Sequence, residues 1–288
     1  MNRRENDLMN GKKVRKALAF HIPVILLSIV MIYPLAWMIA SSLKENSQIF
    51  TQAHSLIANP PHWENYVKGW QGSGRYTYAT YFSNSAFVTI LSTIGAVASS
   101  SLVAFGFARI PFKKKNLWFA LLMGTMLLPS QVLVVPQYMV FKSLGWLNTY
   151  LPLIIPQFCG SAFFIFLNMQ FMRGVPSELD EAAKIDGCGW FRTYLSVLLP
   201  LSVPSLITSA IFSFYWTWQD FFGPLIYLSK PKKYTVSIAL KMFADPTVAT
   251  DWTGLFAMST LSLVPVLLIF ICFQKYLVEG VATTGLKG

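Results

Sequence analysis

Six apolar stretches, each long enough to cross a bilayer as a helix, constrain this chain more than anything else in it. They run approximately Leu18–Leu43, Ser83–Phe107, Asn116–Phe141, Leu151–Met172, Val197–Trp218 and Leu255–Phe273. A hydrocarbon core of about 30 Å takes roughly 20 apolar residues of helix. Backbone groups in lipid must bond within their own segment, so the expected fold class is an all-α membrane protein with six transmembrane helices. Pro129 and Pro136 lie in the third stretch, Pro156 in the fourth and Pro204 in the fifth. Neighbouring groups can satisfy a carbonyl freed by proline, so kinks are expected there and not lost spans. Composition points the same way: 54% of residues are hydrophobic and 12% are charged, against about 25% charged in a soluble domain.

The net charge of +11 does not imply a nucleic-acid partner, because the basic residues sit in short clusters between apolar runs. Arg3, Arg4, Lys12, Lys13, Arg15 and Lys16, then Arg109 and Lys113 to Lys115, then Arg173, Lys184 and Arg192, then Lys275 and Lys287, all fall on one side. The positive-inside rule places that side, and with it both termini, in the cytoplasm. The Lys230 to Lys233 cluster is a local exception. The first apolar run is too long for a signal core and lacks a small-residue exit, so it reads as a retained anchor. A basic segment, 1–17, thus precedes one transmembrane domain, 18–278, and a cytoplasmic tail, 279–288.

Two long outer segments, Ser42–Phe82 and Phe221–Gly254, carry aromatics that serve as interfacial anchors or as a docking surface. Cys159, Cys188 and Cys272 have no metal or disulfide spacing and read as small buried hydrophobes.

The spans hold almost no ionisable side chains; His21, near the start of the first, belongs at the interface. An ion-coupled carrier, which places such groups at mid-membrane, is therefore disfavoured. A phosphate-binding G-x-x-x-x-G-K-[ST] loop is missing, as is any catalytic or metal-ligand constellation. The chain is not expected to be an enzyme or to hold a cofactor, and uphill transport would take its energy from another chain.

Between the fourth and fifth spans, residues 174–189 read GVPSELDEAAKIDGCG. Ser177 with Asp180 three residues on makes a capping-box-like start. Glu178, Asp180 and Glu181 suit the positive end of a helix dipole. Gly187 and Gly189 suit a left-handed stop. A helix over about 177–187 follows, with Leu179, Ala182 and Ala183 forming a small apolar face. Such a helix could rest on the membrane surface, aided by Trp190 and Phe191, or fit a cleft on a cytoplasmic partner.

Glu181-Ala182-Ala183, Gly187, and Leu199-Pro200 opening the next span resemble the EAA motif of ABC importer permeases. The fuller string, with Trp218-Gln219-Asp220-Phe221-Phe222-Gly223-Pro224-Leu225, Gln274-Lys275-Tyr276 and the Gly280–Gly288 tail, is similar to the maltose-type carbohydrate branch. Cys188 and Gln219 depart slightly from it, standing where alanine and asparagine are common.

The resemblance implies a type I ABC importer permease fold in the bacterial cytoplasmic (inner) membrane. It implies a homologous second permease, two ATPase subunits that bind ATP and Mg, and an extracytoplasmic sugar-binding protein. The 177–187 helix becomes a coupling helix: Glu178 and Glu181 supply charge, Ala182 and Ala183 allow close approach, and Asp186 and Gly187 form its turn. Pro200 completes the motif, and Gly285, Lys287 and Gly288 belong to a tail that reaches the ATPase.

Sugars bind to aromatic faces and hydrogen-bonding groups. Tyr215, Trp216, Trp218, Gln219 and Asp220, with Asn168 and Gln170, are the candidates for a substrate path. Each has an alternative role in interfacial packing or helix–helix bonding. Two functional alternatives stand beside the sugar importer: the same architecture with an amino-acid, phosphate, metal-chelate or peptide cargo, and a different class, an ion-coupled secondary carrier or a non-transporting scaffold.

Overall fold

The computed structural model describes residues 3–72, 75–244 and 250–285; these form helices joined by turns, with no strand among them. The chain divides into two compact units, one of residues 1–70 and 243–261, the other of 71–242 and 262–288.

The first unit begins with α1 (Arg3–Ser42), followed by α2 (Gln48–Thr51) and α3 (Glu64–Gln71). The last carbonyls of a helix have no partner within it, and here side chains supply the donors. Asn65 Nδ2 donates to Ser42 O at 3.0 Å and to Lys44 O at 2.8 Å. The Tyr66 hydroxyl lies 2.8 Å from Ser42 Oγ. Lys44 is fully buried, and its Nζ donates to Gln52 O at 2.9 Å and Ser55 O at 2.6 Å. Burial holds this ammonium below the usual lysine range. Lys44→Met should strip both carbonyls of their donor, at about 0.5–1.5 kcal/mol for each hydrogen bond lost. Faster amide exchange across residues 44–55, with residues 78–109 and 162–174 of the second unit unchanged, is the expected readout.

The second unit is built on α4 (Tyr78–Arg109), α5 (Lys115–Thr125), α6 (Ser130–Ser143) and α7 (Leu151–Ile154). Then come α8 (Ala162–Gly174), α9 (Glu178–Ile185), α10 (Trp190–Thr193), α11 (Leu199–Leu201), α12 (Val203–Gln219), α13 (Phe222–Tyr227) and α14 (Val236–Phe243). The last helix, α15 (Trp252–Gly285), enters both units.

α4 is the axis of this unit, packed against α8 and α12. Its buried side includes Ser85, Thr89, Ser92, Ala96, Ser100 and Ala104, small residues at helical spacing that let neighbouring backbones approach. Near its C-terminal end Ala104 and Phe105 join Ile165, Met169, Met172, Tyr194 and Leu198 in one apolar cluster.

Among the described residues, four segments are long and apolar enough to cross a bilayer: Lys16–Ser42, Tyr78–Arg109, Leu151–Gly174 and Trp252–Tyr276. A fifth is Trp190–Leu201 with Val203–Gln219, taken together across a 77° bend. That bend has local causes: a five-residue π turn at Tyr194–Leu198, then Pro200 and Pro204, which donate no backbone hydrogen bond.

The expected third span is not continuous. It separates into α5, of 11 residues, and α6, of 14, lengths of about 16 and 21 Å at 1.5 Å per residue. Pro129 is extended and disfavours helix at the residue before it. Pro136, inside α6, is accommodated. In the fourth segment a 3₁₀ turn at Ile155–Cys159 and Gly160 at φ +84° interrupt the helix before α8.

The cysteines depart from expectation. All three are free, with Cys159 and Cys272 exposed and Cys188 half-buried. An apolar stretch in a membrane protein has an outward face as well as a core, so apolar neighbours in sequence did not guarantee burial.

Candidate functional site

Two features of the second unit bear on function: α9, and a polar cavity between α4, α8, α12 and α13. α9 spans eight residues with acidic groups in its first turn. The expected capping box does not form. Ser177 already has helical backbone angles and its side chain makes no cap bond. Asp180 turns inward instead and lies 2.8 Å from Arg109 at the end of α4.

The C-terminal end does follow the expected pattern. Gly187 has φ +80°, Cys188 N donates to Ala183 O at 2.9 Å and Gly187 N to Lys184 O at 3.0 Å. This is a Schellman closure, in which the left-handed residue avoids the Cβ penalty by being glycine. Asp186 occupies the C-cap position and is exposed. Lys184 Nζ lies over the Trp190 ring at 4.4 Å, tying the helix to the segment that follows it.

The faces of α9 differ from the sequence expectation. Ala183 is buried with Asp180 on the inward side, so it does not share an outer face with Ala182. The free face is Glu178, Glu181, Ala182 and Ile185, all exposed and spaced three or four residues apart, as one helix face requires. Ile185 is 87% exposed, an isolated apolar knob set among carboxylates. Leu179 is exposed at the edge of this face, and Pro200 is exposed near the 77° bend.

The cavity holds about 170 Å³, room for a small polar molecule or one ring of a larger one. Hydroxyls and an amide from Ser85, Thr89, Gln157, Ser161, Ser213 and Thr217 line it, and Trp216 and Phe164 form an aromatic wall. Their rings stack at 5.4 Å between centroids. Thr89 Oγ1 is buried and has no hydrogen-bond partner among the described residues, a group that a polar guest would satisfy.

Asp220 also lines the cavity. Burial pushes its carboxyl above the usual aspartate range, opposed by backbone N–H groups of Gly223 and Phe222. A Cβ on Gly223 would sit 2.5 Å from Asp220 Oδ2, which accounts for the glycine of the Asp220-Phe-Phe-Gly223 run.

Of the substrate-path candidates, Trp216 and Asp220 line this cavity and the others do not. Asn168 is fully buried: Nδ2 donates to Ser209 Oγ and Oδ1 accepts from Ser205 Oγ, each at 2.9 Å. It therefore clamps α8 to α12. Trp218 is also buried, and its Nε1 donates to Ser262 O at 3.0 Å. Tyr215 and Gln219 are exposed and Gln170 is half-buried. Gly285 ends α15, while Lys287 and Gly288 lie outside the described residues.

Sequence reasoning missed the hydroxyl lining, although Ser85, Thr89 and Ser92 recur every three or four residues along α4. It also missed Ile185, and it used Arg109 only as a positive charge near a span end.

Comparison with known proteins agrees with this architecture. Residues 96–283 match the family model described as the binding-protein-dependent transport system inner membrane component. The probable ABC transporter permease protein YurM of Bacillus subtilis is 37% identical over 263 residues, covering 90% of this chain and 85% of that protein. The trehalose/maltose transport system permease protein MalG of Thermococcus litoralis is 29% identical, covering 96% and 99%. A chain from the crystal structure of a bacterial ABC transporter involved in import of the acidic polysaccharide alginate superposes with a TM-score of 0.80. It is 17% identical and covers 92% of this chain and 97% of its own. The chain thus has the fold of an ABC importer permease, and it belongs to the family of binding-protein-dependent transport system inner membrane components.

Proposed function

We propose that this chain is one of two homologous permeases of an ATP-driven importer in the bacterial cytoplasmic membrane, and that its cargo is an uncharged sugar or oligosaccharide. The free face of α9 carries the first part of this reading: an exposed carboxylate pair around an apolar knob, on a short helix outside the apolar bundle. In this arrangement α9, both termini and the basic 1–17 segment lie in the cytoplasm. Two ATPase subunits, which hold ATP and Mg, receive α9 in a groove. A sugar-loaded binding protein docks on the opposite face. A solved alginate ABC transporter of the same fold, with a TM-score of 0.66 to this chain, is described in complex with a pentasaccharide-bound periplasmic protein.

The lining of the cavity supports the sugar. Relatives at 28–30% identity are named for arabinooligosaccharides, diacetylchitobiose and sn-glycerol-3-phosphate, so sugar and phosphate-ester cargoes are the two to separate. An anion needs a basic partner or a donor cluster. Among the described residues lining the cavity none is basic, and Asp220 would repel a phosphate. Hydroxyls, an amide and an indole face suit a neutral sugar.

The deciding measurement is ATP hydrolysis by the complete complex in lipid, with binding protein and a panel of cargoes. Neutral saccharides should stimulate hydrolysis several-fold and glycerol phosphate should not. Stimulation by glycerol phosphate alone would overturn the cargo, and uptake driven by an ion gradient without ATP would overturn the class.

A further inference from the structure

Arg109 ends α4, and α9 carries Asp180 on its inward side. Nε of the arginine lies 2.8 Å from Oδ2 of the aspartate, with side-chain exposures of 10% and 9%. Arg109 Nη2 also donates to Val175 O at 2.6 Å, in the turn leading into α9. The Nε–H is not aimed along the contact, and Asp180 Oδ1 is buried without a donor. Charge therefore holds this pair more than hydrogen-bond geometry does.

As a stability device it is a poor choice. Removing two charges from water is costly, and their attraction offsets that cost only when the remaining donors and acceptors are satisfied. What the pair does supply is a connection the chain path lacks. In sequence, α9 leads through Gly187 and Gly189 into the π turn and the 77° bend before α12. A displacement of α9 along that route meets a joint at each step. The ion pair instead attaches α9 to α4, an unbroken helix of 32 residues. Thr89 of the same helix lines the cavity, about 30 Å from Arg109 at 1.5 Å per residue.

We propose that the Arg109–Asp180 pair carries the displacement of α9 into α4, which makes both of them positioning residues for ATP-driven transport. The inference rests on the reading of α9 as the element seated on the ATPase.

The test uses the whole complex in lipid with its ATPase, partner permease and binding protein. Three quantities are read: ATPase retained on the permease, basal hydrolysis, and sugar taken up per ATP. Asp180→Asn keeps the shape of the side chain and removes its charge. It should retain the ATPase and basal hydrolysis while uptake per ATP falls about tenfold, within the range of measured coupling energies. The swap Arg109→Asp with Asp180→Arg restores opposite charges and should recover most of that loss.

A wild-type ratio in Asp180→Asn overturns the proposal, as does uptake that falls only in proportion to assembled complex. A swap that assembles yet stays uncoupled overturns it too. Ile185→Asp separates the two readings. If that variant still holds the ATPase, the α9 reading fails and this inference with it. If it releases the ATPase while Asp180→Asn couples normally, only the transmission role is lost.

Discussion

Ile185→Asp should release the ATPase from the permease while leaving the helical bundle folded. Ile185 is 87% exposed on the face of α9 that also presents Glu178, Glu181 and Ala182. It contributes little to the chain's own packing, so folding stability should change by no more than about 0.5 kcal/mol, as for ordinary surface positions. In a docked complex the same side chain would fill a groove. Full burial of an isoleucine contributes roughly 1.5–3 kcal/mol, and a carboxylate in its place adds a desolvation cost. A loss of about 3 kcal/mol or more corresponds to at least a hundredfold weaker binding.

Glu181→Lys, beside it on the free face, should weaken binding less and in a salt-dependent way, because rim charges act chiefly on encounter. Ala183→Asp is a useful contrast. Ala183 is buried, so that change should lower the thermal stability of the permease itself. Titration of the ATPase onto the permease pair in lipid nanodiscs, with thermal unfolding alongside, distinguishes these outcomes. Unchanged affinity for Ile185→Asp would remove α9 from the docking surface.

The contrast between Ile185 and Ala183 marks how far the sequence could be read. That residues 177–187 form a helix follows from local chemistry, since acidic groups open it and glycines close it. Which face points outward does not, because an eight-residue helix of small and charged residues has no dominant apolar stripe. Its orientation is a matter of tertiary neighbours: Asp180 and Ala183 lie inward, Asp180 beside Arg109 from far away in sequence, and Ile185 faces out. Asp180 had a plausible local role in a capping box, and a buried tertiary partner outweighed it. The same competition decides Asn168, whose amide satisfies Ser205 and Ser209 across the helix interface. Polar groups in a helix bundle read alike in sequence whether they face a neighbour or a cavity.

The spans follow the same division. α1, α4 and α15 are long apolar runs whose hydropathy specifies them without help. The third run was apolar too, but Pro129 broke it into α5 and α6. A proline in a membrane helix is tolerated or not according to which neighbours reach its freed carbonyl, and that information is tertiary. The cavity was the least legible feature. Its wall draws residues from α4, from the turn before α8, and from α12 and α13, and only the Trp216 to Asp220 portion belongs to one contiguous motif.

Trp216→Ala should lower sugar uptake at limiting concentration by about thirtyfold, the loss expected when an aromatic anchor contributing 2 kcal/mol or more is truncated. The indole stacks on Phe164 and lines the cavity together with the hydroxyls of α4, so its removal opens the wall on which a sugar ring would rest. Because Trp216 also packs against Phe163 and Phe212, part of any loss could reflect the bundle, and Trp216→Phe should recover much of it by restoring a ring.

Thr89→Val is the cleaner partner experiment. It keeps the side-chain shape and deletes a buried hydroxyl that nothing in the described chain satisfies. With no cargo bond, this change is neutral or stabilising to the protein, since an unpaired polar group is removed. With a sugar hydroxyl bound there, uptake should fall about fivefold, the worth of roughly 1 kcal/mol for one hydrogen bond. Stability and transport then move in opposite directions, which a packing defect cannot produce. Gln219→Ala, at an exposed position off the cavity, should leave uptake unchanged. If Thr89→Val and Trp216→Ala both assemble normally and transport like the wild type, the cargo does not pass through this cavity.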